Sequence, residues 1–210
     1  MTQRMNALNV KKEIVAIVFD LGRVLIKLDG PPLKSHWLAQ PVSEEESWRR
    51  WGRSETVRAF ESGLMSDTEF LQTIITEQKL IISADQFREQ FAMWPYCLYD
   101  GVESTLLKLR ERFVLAYYSN TSSLHQPKIN RLLPEHYFDF YFTSYQTGYF
   151  KPNIQGFYHV AEQMRQKPES ILFLDDNSMN VQSARDAGFC AEQVVGFDEA
   201  YKQLGVYGCL

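Results

Sequence analysis

Unbroken apolar runs, each closed by a polar or charged side chain, recur along this chain with helix-like stretches between them. Ile14 to Phe19 ends on Asp20, Val114 to Tyr118 on Ser119-Asn120, and Ile171 to Leu174 on Asp175-Asp176-Asn177. Two less continuous runs, 138–143 and 193–197, read the same way. Runs without apolar/polar alternation describe strands buried on both faces, as in a parallel sheet. Between the runs, Phe157, Val160, Ala161 and Met164 fall at i, i+3, i+4 and i+7, and Val102, Leu106 and Leu109 at i, i+4 and i+7. Each set is an apolar stripe that suits a helix lying on a sheet. This βα alternation predicts an α/β fold, a doubly wound parallel sheet with helices on both faces.

The stretch from 29 to 99 breaks the rhythm: it offers helix starts and no convincing buried strand. Ser43 with Glu46, Ser66 with Glu69, and Ser83 with Gln86 have the spacing of a capping box, in which the serine hydroxyl and the third-position side chain satisfy each other's exposed backbone N–H. Phe87, Phe91 and Trp94 follow the third box at helical spacing. The expected organisation is a loose tail over 1–12, an α/β core over 13–28 and 100–210, and a helical insert over 29–99.

A chain of 210 residues is long enough to bury a real hydrophobic interior. The formal charge of −4, with basic residues spread along the chain, excludes the broad basic surface that nucleic-acid binding requires. No run approaches the roughly 18 apolar residues of a membrane span, so no membrane partner is expected. Cys97, Cys190 and Cys209 form no CxxC pair, which argues against a disulfide framework or a thiolate metal site; a cytoplasmic location is the expectation. Oligomeric state is left open.

In an open parallel sheet, ligands bind where the carboxyl ends of strands meet, so the run-closing residues are the candidates for chemistry. Asp20 precedes the turn Leu21-Gly22-Arg23 and is placed to act as a nucleophile or to cap that turn. Asp175-Asp176 repel each other unless a cation is near, and Mg²⁺ is the natural one, since it takes oxygen ligands from one or two carboxylates plus a substrate phosphate; Asn177 or Asp176 also suits the cap of the helix carrying Val181 and Ala184. Ser119-Asn120-Thr121 offers hydroxyl, amide and backbone N–H groups to phosphate oxygens or forms an ordinary turn. Lys151 lies in Gly148-Tyr149-Phe150-Lys151-Pro152, where the following proline keeps it extended and able to turn its ammonium inward.

In the order Asp20, Ser119, Lys151, Asp175-Asp176, with a helical insert after the first strand, the chain resembles the haloacid dehalogenase-like (HAD) hydrolase superfamily over nearly its whole length. The segments Phe19 to Leu25, Ser119 to Thr121 and Asp175 to Asn180 are similar to the branch that holds sugar-1-phosphate phosphatases and the phosphatase domain of soluble epoxide hydrolases. The resemblance implies a Rossmann-like core with a cap over 29–99, and Mg²⁺-dependent hydrolysis of a small phosphate monoester through an aspartyl-phosphate. It implies Asp20 as nucleophile and metal ligand, the Gly22 carbonyl and Asp176 as further ligands, and Asp175 as a supporting carboxylate. Ser119, Asn120 and Lys151 would bind phosphate, Lys151 would also orient Asp20, and Asn180 would support the metal shell.

The chain departs from the common pattern at Gly22, where most phosphatases of the superfamily carry an aspartate that protonates the leaving group and later activates water. Such general acid–base help contributes about 10²–10⁴-fold. Two alternatives therefore stand beside the phosphatase: a metal-free 2-haloacid dehalogenase using the same aspartate, and a catalytically weak phosphate-binding or regulatory protein. Trp37, Trp48, Trp51 and Trp94 all lie in the insert, mostly to build its core, with one or two available to line a substrate pocket. Arg49, Arg50, Arg53 and Arg58 are expected on a solvated face. His36, His125, His136 and His159 show no metal spacing and are expected at the surface or in packing, with His125 near enough to the Ser119 loop to enter the site.

Overall fold

The computed structural model describes residues 13–210; the expected tail over 1–12 lies outside them. In chain order the first elements are β1 (Ala16–Phe19), β2 (Ile26–Leu28), α1 (Glu44–Arg53), α2 (Glu55–Glu61), α3 (Asp67–Gln78), α4 (Ala84–Ala92) and β3 (Pro95–Leu98). There follow α5 (Val102–Leu109), β4 (Val114–Ser119), α6 (Gln126–Leu132), β5 (Phe140–Thr143), α7 (Ser144–Thr147), α8 (Ile154–Met164), β6 (Ile171–Asp175), α9 (Ser178–Asp186), β7 (Cys190–Gln193) and α10 (Phe197–Val206).

Five strands form a parallel sheet in the order β5-β4-β1-β6-β7, so the chain starts at the centre and winds outward first one way and then the other. β1 lies between β4 and β6, with Phe19 opposite Tyr117 and Leu174. That is the point where strand order reverses, and it opens a crevice beyond the strand ends. The unbroken apolar runs arise because both faces are covered. Ile17, Phe19, Leu115, Tyr117, Leu172 and Leu174 meet α5 and α10 through Val102, Leu106, Phe197 and Leu204. Ala16, Val18, Ala116, Tyr118 and Phe173 meet α8 and α9 through Phe157, Val160, Val181 and Ala184. Each such large side chain stabilises the fold by about 1.5–3 kcal/mol on full burial.

Two strand expectations need correction. The run at 193–197 is not a strand: β7 is Cys190–Gln193, and Gly196, at φ +81°, turns the chain into α10. β7 is an edge strand whose outer half, Glu192 and Gln193, is polar, so the apolar signal fell on the buried Val194 and Phe197 beyond it. The segment 29–99 also holds a strand, since β3 pairs antiparallel with β2. β3 is only half buried, which is why it lacks an apolar run. Together β2 and β3 carry the chain into and out of the helical segment.

Helices α1 to α4 surround an aromatic cluster that includes Trp37, Trp51, Phe60, Phe70, Phe87, Phe91 and Trp94. Phe60 stacks on Phe70 with ring centroids 3.9 Å apart, and pairs of this kind add about 0.5–1.5 kcal/mol beyond their buried area. The boxes at Ser66/Glu69 and Ser83/Gln86 are both reciprocal. At Ser43 the box is one-sided: the hydroxyl accepts from the Glu46 N–H, but the Glu46 carboxylate turns to Arg49 and Arg50.

The helical segment is fastened to the sheet at named points. Asp67 accepts the Ser123 hydroxyl, the Arg58 guanidinium lies 5.6 Å from the Phe150 ring centre, and Gly63 sits against the Tyr145 backbone. A Cβ on Gly63 would come within 2.1 Å of the Tyr145 carbonyl oxygen, and the residue has φ +73°. Both facts make glycine obligatory there. Gly63→Ala is expected to lower the free energy of unfolding by more than about 1 kcal/mol, read from urea denaturation; an unchanged midpoint would show that this contact is not a fastening.

Candidate active site

Three strands deliver the site. Asp20, directly after β1, donates its N–H to the Leu174 carbonyl at 2.8 Å, which holds the nucleophile candidate level with the ends of β4 and β6. Ser119 and Asp175 are the last residues of those strands. Lys151 arrives from the loop after α7, and the Asn120 side chain clamps its backbone from both sides: Nδ2 donates to the Lys151 carbonyl (2.9 Å) and Oδ1 accepts from the Lys151 N–H (2.8 Å).

The ammonium so placed is 1% exposed and donates to Asp20 Oδ1 (2.8 Å), Asp175 Oδ2 (2.6 Å) and the Tyr118 carbonyl (2.8 Å). All three of its protons are committed. Asp175, fully buried, also accepts from the Asn177 N–H (2.8 Å) and the Asn180 amide (3.0 Å). Asn177 meanwhile caps α9 by accepting from the Met179 N–H, which leaves Asp176 free of that duty. Asp176 pairs with Arg23 at 2.9 Å. Arg23 reaches it from a left-handed backbone position, φ +59°, stabilised where its N–H donates to the Ile26 carbonyl and its own carbonyl accepts from Gly196.

Ligand atoms of Asp20, Asp175 and Asp176 all lie within 4.8 Å of one another. Burial raises Asp20 to about 7 although Lys151 opposes the shift, and the neighbouring Asp175 and Asp176 push the same way. Burial and then Asp175 also raise Asp176 against Arg23 and Lys151. Lys151 is itself held above the ordinary lysine range, because the two carboxylates outweigh its own burial. One ammonium and one guanidinium thus face three carboxylates.

Above these groups lies a cavity of about 360 Å³. Of the residues singled out in the sequence, it brings together Asp20, Gly22, Ser119, Asn120, Lys151, Asp176 and Asn180. Asp175 is not in the wall but beneath it, its carboxylate saturated by hydrogen bonds. One N–H and one lone pair of the Asn120 side chain are spent on Lys151, so its second amide proton and its backbone remain for a ligand. The helical segment supplies Trp48, Trp51, Trp94 and Glu61 to the same cavity, so three of the four tryptophans reach it, more than the sequence led one to expect. Trp37 lies wholly in the core.

Two further residues matter. His125 is buried in the wall, with Nε2 3.0 Å from the Phe91 carbonyl and Nδ1 3.4 Å from the Ser122 hydroxyl. Burial lowers it to about 4, so the ring is neutral at pH 7, with Nε2 carrying the proton that bonds to Phe91. Glu61, the last residue of α2, is buried and lines the cavity; burial raises it to about 8, against the indole N–H of Trp51. Sequence reading missed Glu61, since nothing distinguishes it from other helical glutamates until α2 is placed over the sheet.

A sequence model of the haloacid dehalogenase-like hydrolases matches residues 14–188, and the chain belongs to this family. Its fold is similar to that of a HAD family enzyme of Bacteroides thetaiotaomicron, with TM-score 0.77 and 24% identity over 91% of this chain and 99% of that one. That enzyme is also known in complex with magnesium and inorganic phosphate. L-2-haloacid dehalogenase of Xanthobacter autotrophicus shares the fold at TM-score 0.64 and 17% identity, over 92% of this chain and 83% of that one. In sequence, bifunctional epoxide hydrolase 2 of Rattus norvegicus is 35% identical over 68 residues, 32% of this chain but only 12% of that protein. No helix among the described residues is long and apolar enough to cross a membrane.

Proposed function

We propose that this HAD-like hydrolase is a phosphatase of small phosphate monoesters, with Asp20 as the nucleophile and Mg²⁺ as cofactor. The observation that carries the reading is the Lys151 ammonium bridging Asp20 and Asp175 at the floor of a cavity that also holds Ser119 and Asp176. A cation site fits these residues: the donors are hard carboxylate oxygens within one ion's reach, and the charges around them are not balanced by the side chains alone. Asp20, Asp176 and the Gly22 carbonyl would hold Mg²⁺, which when bound neutralises phosphoryl charge and helps hold the substrate in line.

In this reading the Asp20 carboxylate attacks phosphorus, forming an aspartyl-phosphate that water then hydrolyses. Lys151 fixes the attacking oxygen and offsets charge on both carboxylate and phosphate. Ser119 and the backbone at Asn120 bind phosphoryl oxygens, and Asn180 keeps Asp175 in place to hold Lys151. The helical segment over 29–99 acts as the cap that closes the cavity against water. The phosphate complex of the Bacteroides enzyme supports this choice. The fold shared with a dehalogenase does not displace it, because the Asp175-Asp176 pair repels a haloacid carboxylate. Few cysteines and no CxxC pair favour a reducing, cytoplasmic compartment.

Purified protein assayed for phosphate release from sugar phosphates, nucleotides and acyl phosphates is expected to turn over with Mg²⁺ and to lose activity in EDTA, regaining it when Mg²⁺ is restored. Chloride release from a 2-haloacid in EDTA would favour the dehalogenase instead, and phosphate binding without turnover the regulatory reading.

A further inference from the structure

Gly22 leaves the phosphatase chemistry without the acid that usually sits two residues after the nucleophile, and most titratable groups of the cavity are already engaged. Asp20 is the nucleophile. Lys151 has committed every proton. Asp176 and Arg23 are paired with each other. His125 has both ring nitrogens engaged, one with Phe91 and one with Ser122. Glu61 alone remains, and its carboxyl has no ion-pair partner among the described residues.

Its position is fixed to the core as well as to the cap. Three residues before it, Arg58 lies over Phe150, the neighbour of Lys151. Two residues after it, Gly63 abuts the Tyr145 carbonyl. Together these contacts hold the end of α2 down onto α7 and the loop after it that carries Lys151, and the Trp51 indole holds the carboxyl from the cap side. Glu61 therefore lines, from the cap side, the same cavity that Asp20 lines from the sheet side, and in an in-line displacement the leaving group lies on the side of phosphorus opposite the nucleophile.

We propose that Glu61 is the general acid–base of the reaction, supplied by the cap in place of the carboxylate missing at Gly22. The inference rests on the phosphatase reading. As Asp20 bonds to phosphorus, the phosphorus–oxygen bond to the leaving group breaks; that oxygen keeps the electron pair and takes the proton of the Glu61 carboxyl. In the second step the Glu61 carboxylate takes a proton from water as the water oxygen attacks phosphorus. The bond to Asp20 breaks with its electron pair returning to the carboxylate, and inorganic phosphate leaves with Glu61 protonated again. Burial, which raises Glu61 to about 8, keeps it in the acid form at neutral pH, as the first step needs.

The test is leaving-group dependence. For Glu61→Gln, kcat/KM on an alkyl or sugar phosphate, which reports the steps through departure of the leaving group, is expected to fall by about 10²–10⁴-fold, while kcat/KM on acetyl phosphate, whose leaving group needs no proton, falls by less than about 10-fold. Equal losses on both substrates, or none on either, would overturn the proposal and leave Glu61 a pocket-shaping residue. A second variant separates the acid from the fold. Glu61→Asp keeps a carboxyl and is expected to recover at least about 10-fold of the kcat/KM on sugar phosphates that Glu61→Gln loses; no recovery, with both variants keeping the parent's thermal midpoint, would overturn the proposal. Parent protein inactive on every phosphate defeats the phosphatase reading and this inference with it. An active parent with an equally active Glu61→Gln defeats this inference alone.

Discussion

Asp20→Asn is expected to abolish phosphate release while leaving the protein folded. Removing a nucleophile that acts as part of a unit costs on the order of 10⁴–10⁶-fold in kcat, because the remaining groups bind and polarise the substrate but form no covalent intermediate. The fold should survive, since asparagine matches aspartate in shape and its Oδ1 can still accept from the Lys151 ammonium. The sign of any stability change also follows from the site. Burial and two like charges lift Asp20 toward neutral pH, and a carboxylate so raised destabilises the folded state at pH values above its folded pKa. An uncharged side chain removes that cost. The thermal midpoint of Asp20→Asn at pH 8 should therefore equal or exceed that of the parent. A variant that kept measurable turnover on the parent's best substrate would disprove Asp20 as the nucleophile. One that lost turnover only together with its thermal transition would show a structural role instead.

The parallel core was legible because its strands are covered on both sides. That burial writes Ile14–Phe19, Val114–Tyr118 and Ile171–Leu174 as continuous apolar runs, and the residue closing each run falls at the crevice by topology alone. β3 and β7 were harder for the same physical reason in reverse: one is half exposed and the other an edge, so neither has two apolar faces to announce it. Within the site, charged residues at strand ends could be named from position, but their partners could not. That Asn120 spends its amide on the Lys151 backbone, or that Asn177 caps α9 and frees Asp176, depends on loops meeting across 31 residues in the first case and on cap geometry in the second. Glu61 was illegible altogether. Its neighbours Phe60 and Ser62 mark an amphipathic helix end, and only the docking of Gly63 on Tyr145 turns that end toward the cavity.

Lys151→Met is expected to destabilise the protein as well as silence it. Among the described residues the ammonium is the sole cation bonded to Asp175, which is fully buried, and it satisfies the Tyr118 carbonyl too. Methionine matches the length of the stem among Tyr118 and Phe173, whose rings flank the ammonium at 5.3 Å, so packing is largely kept and the loss isolates charge. Removing one partner of a buried ion pair and leaving the other typically costs about 3–5 kcal/mol, a large fraction of the roughly 5–15 kcal/mol that holds a native protein together. The deficit should depend on pH in one direction. Without the ammonium, Asp20 loses the one group that offsets its burial and the neighbouring carboxylates and is raised further in the folded state, so the variant is most impaired at high pH. It recovers relative to the parent as falling pH protonates Asp20. Urea unfolding of both proteins at pH 8 and pH 5 measures this. A gap of the same size at both values would place the damage in packing rather than in the uncompensated carboxylates, and an absent gap at pH 8 would mean that Lys151 is not what balances them.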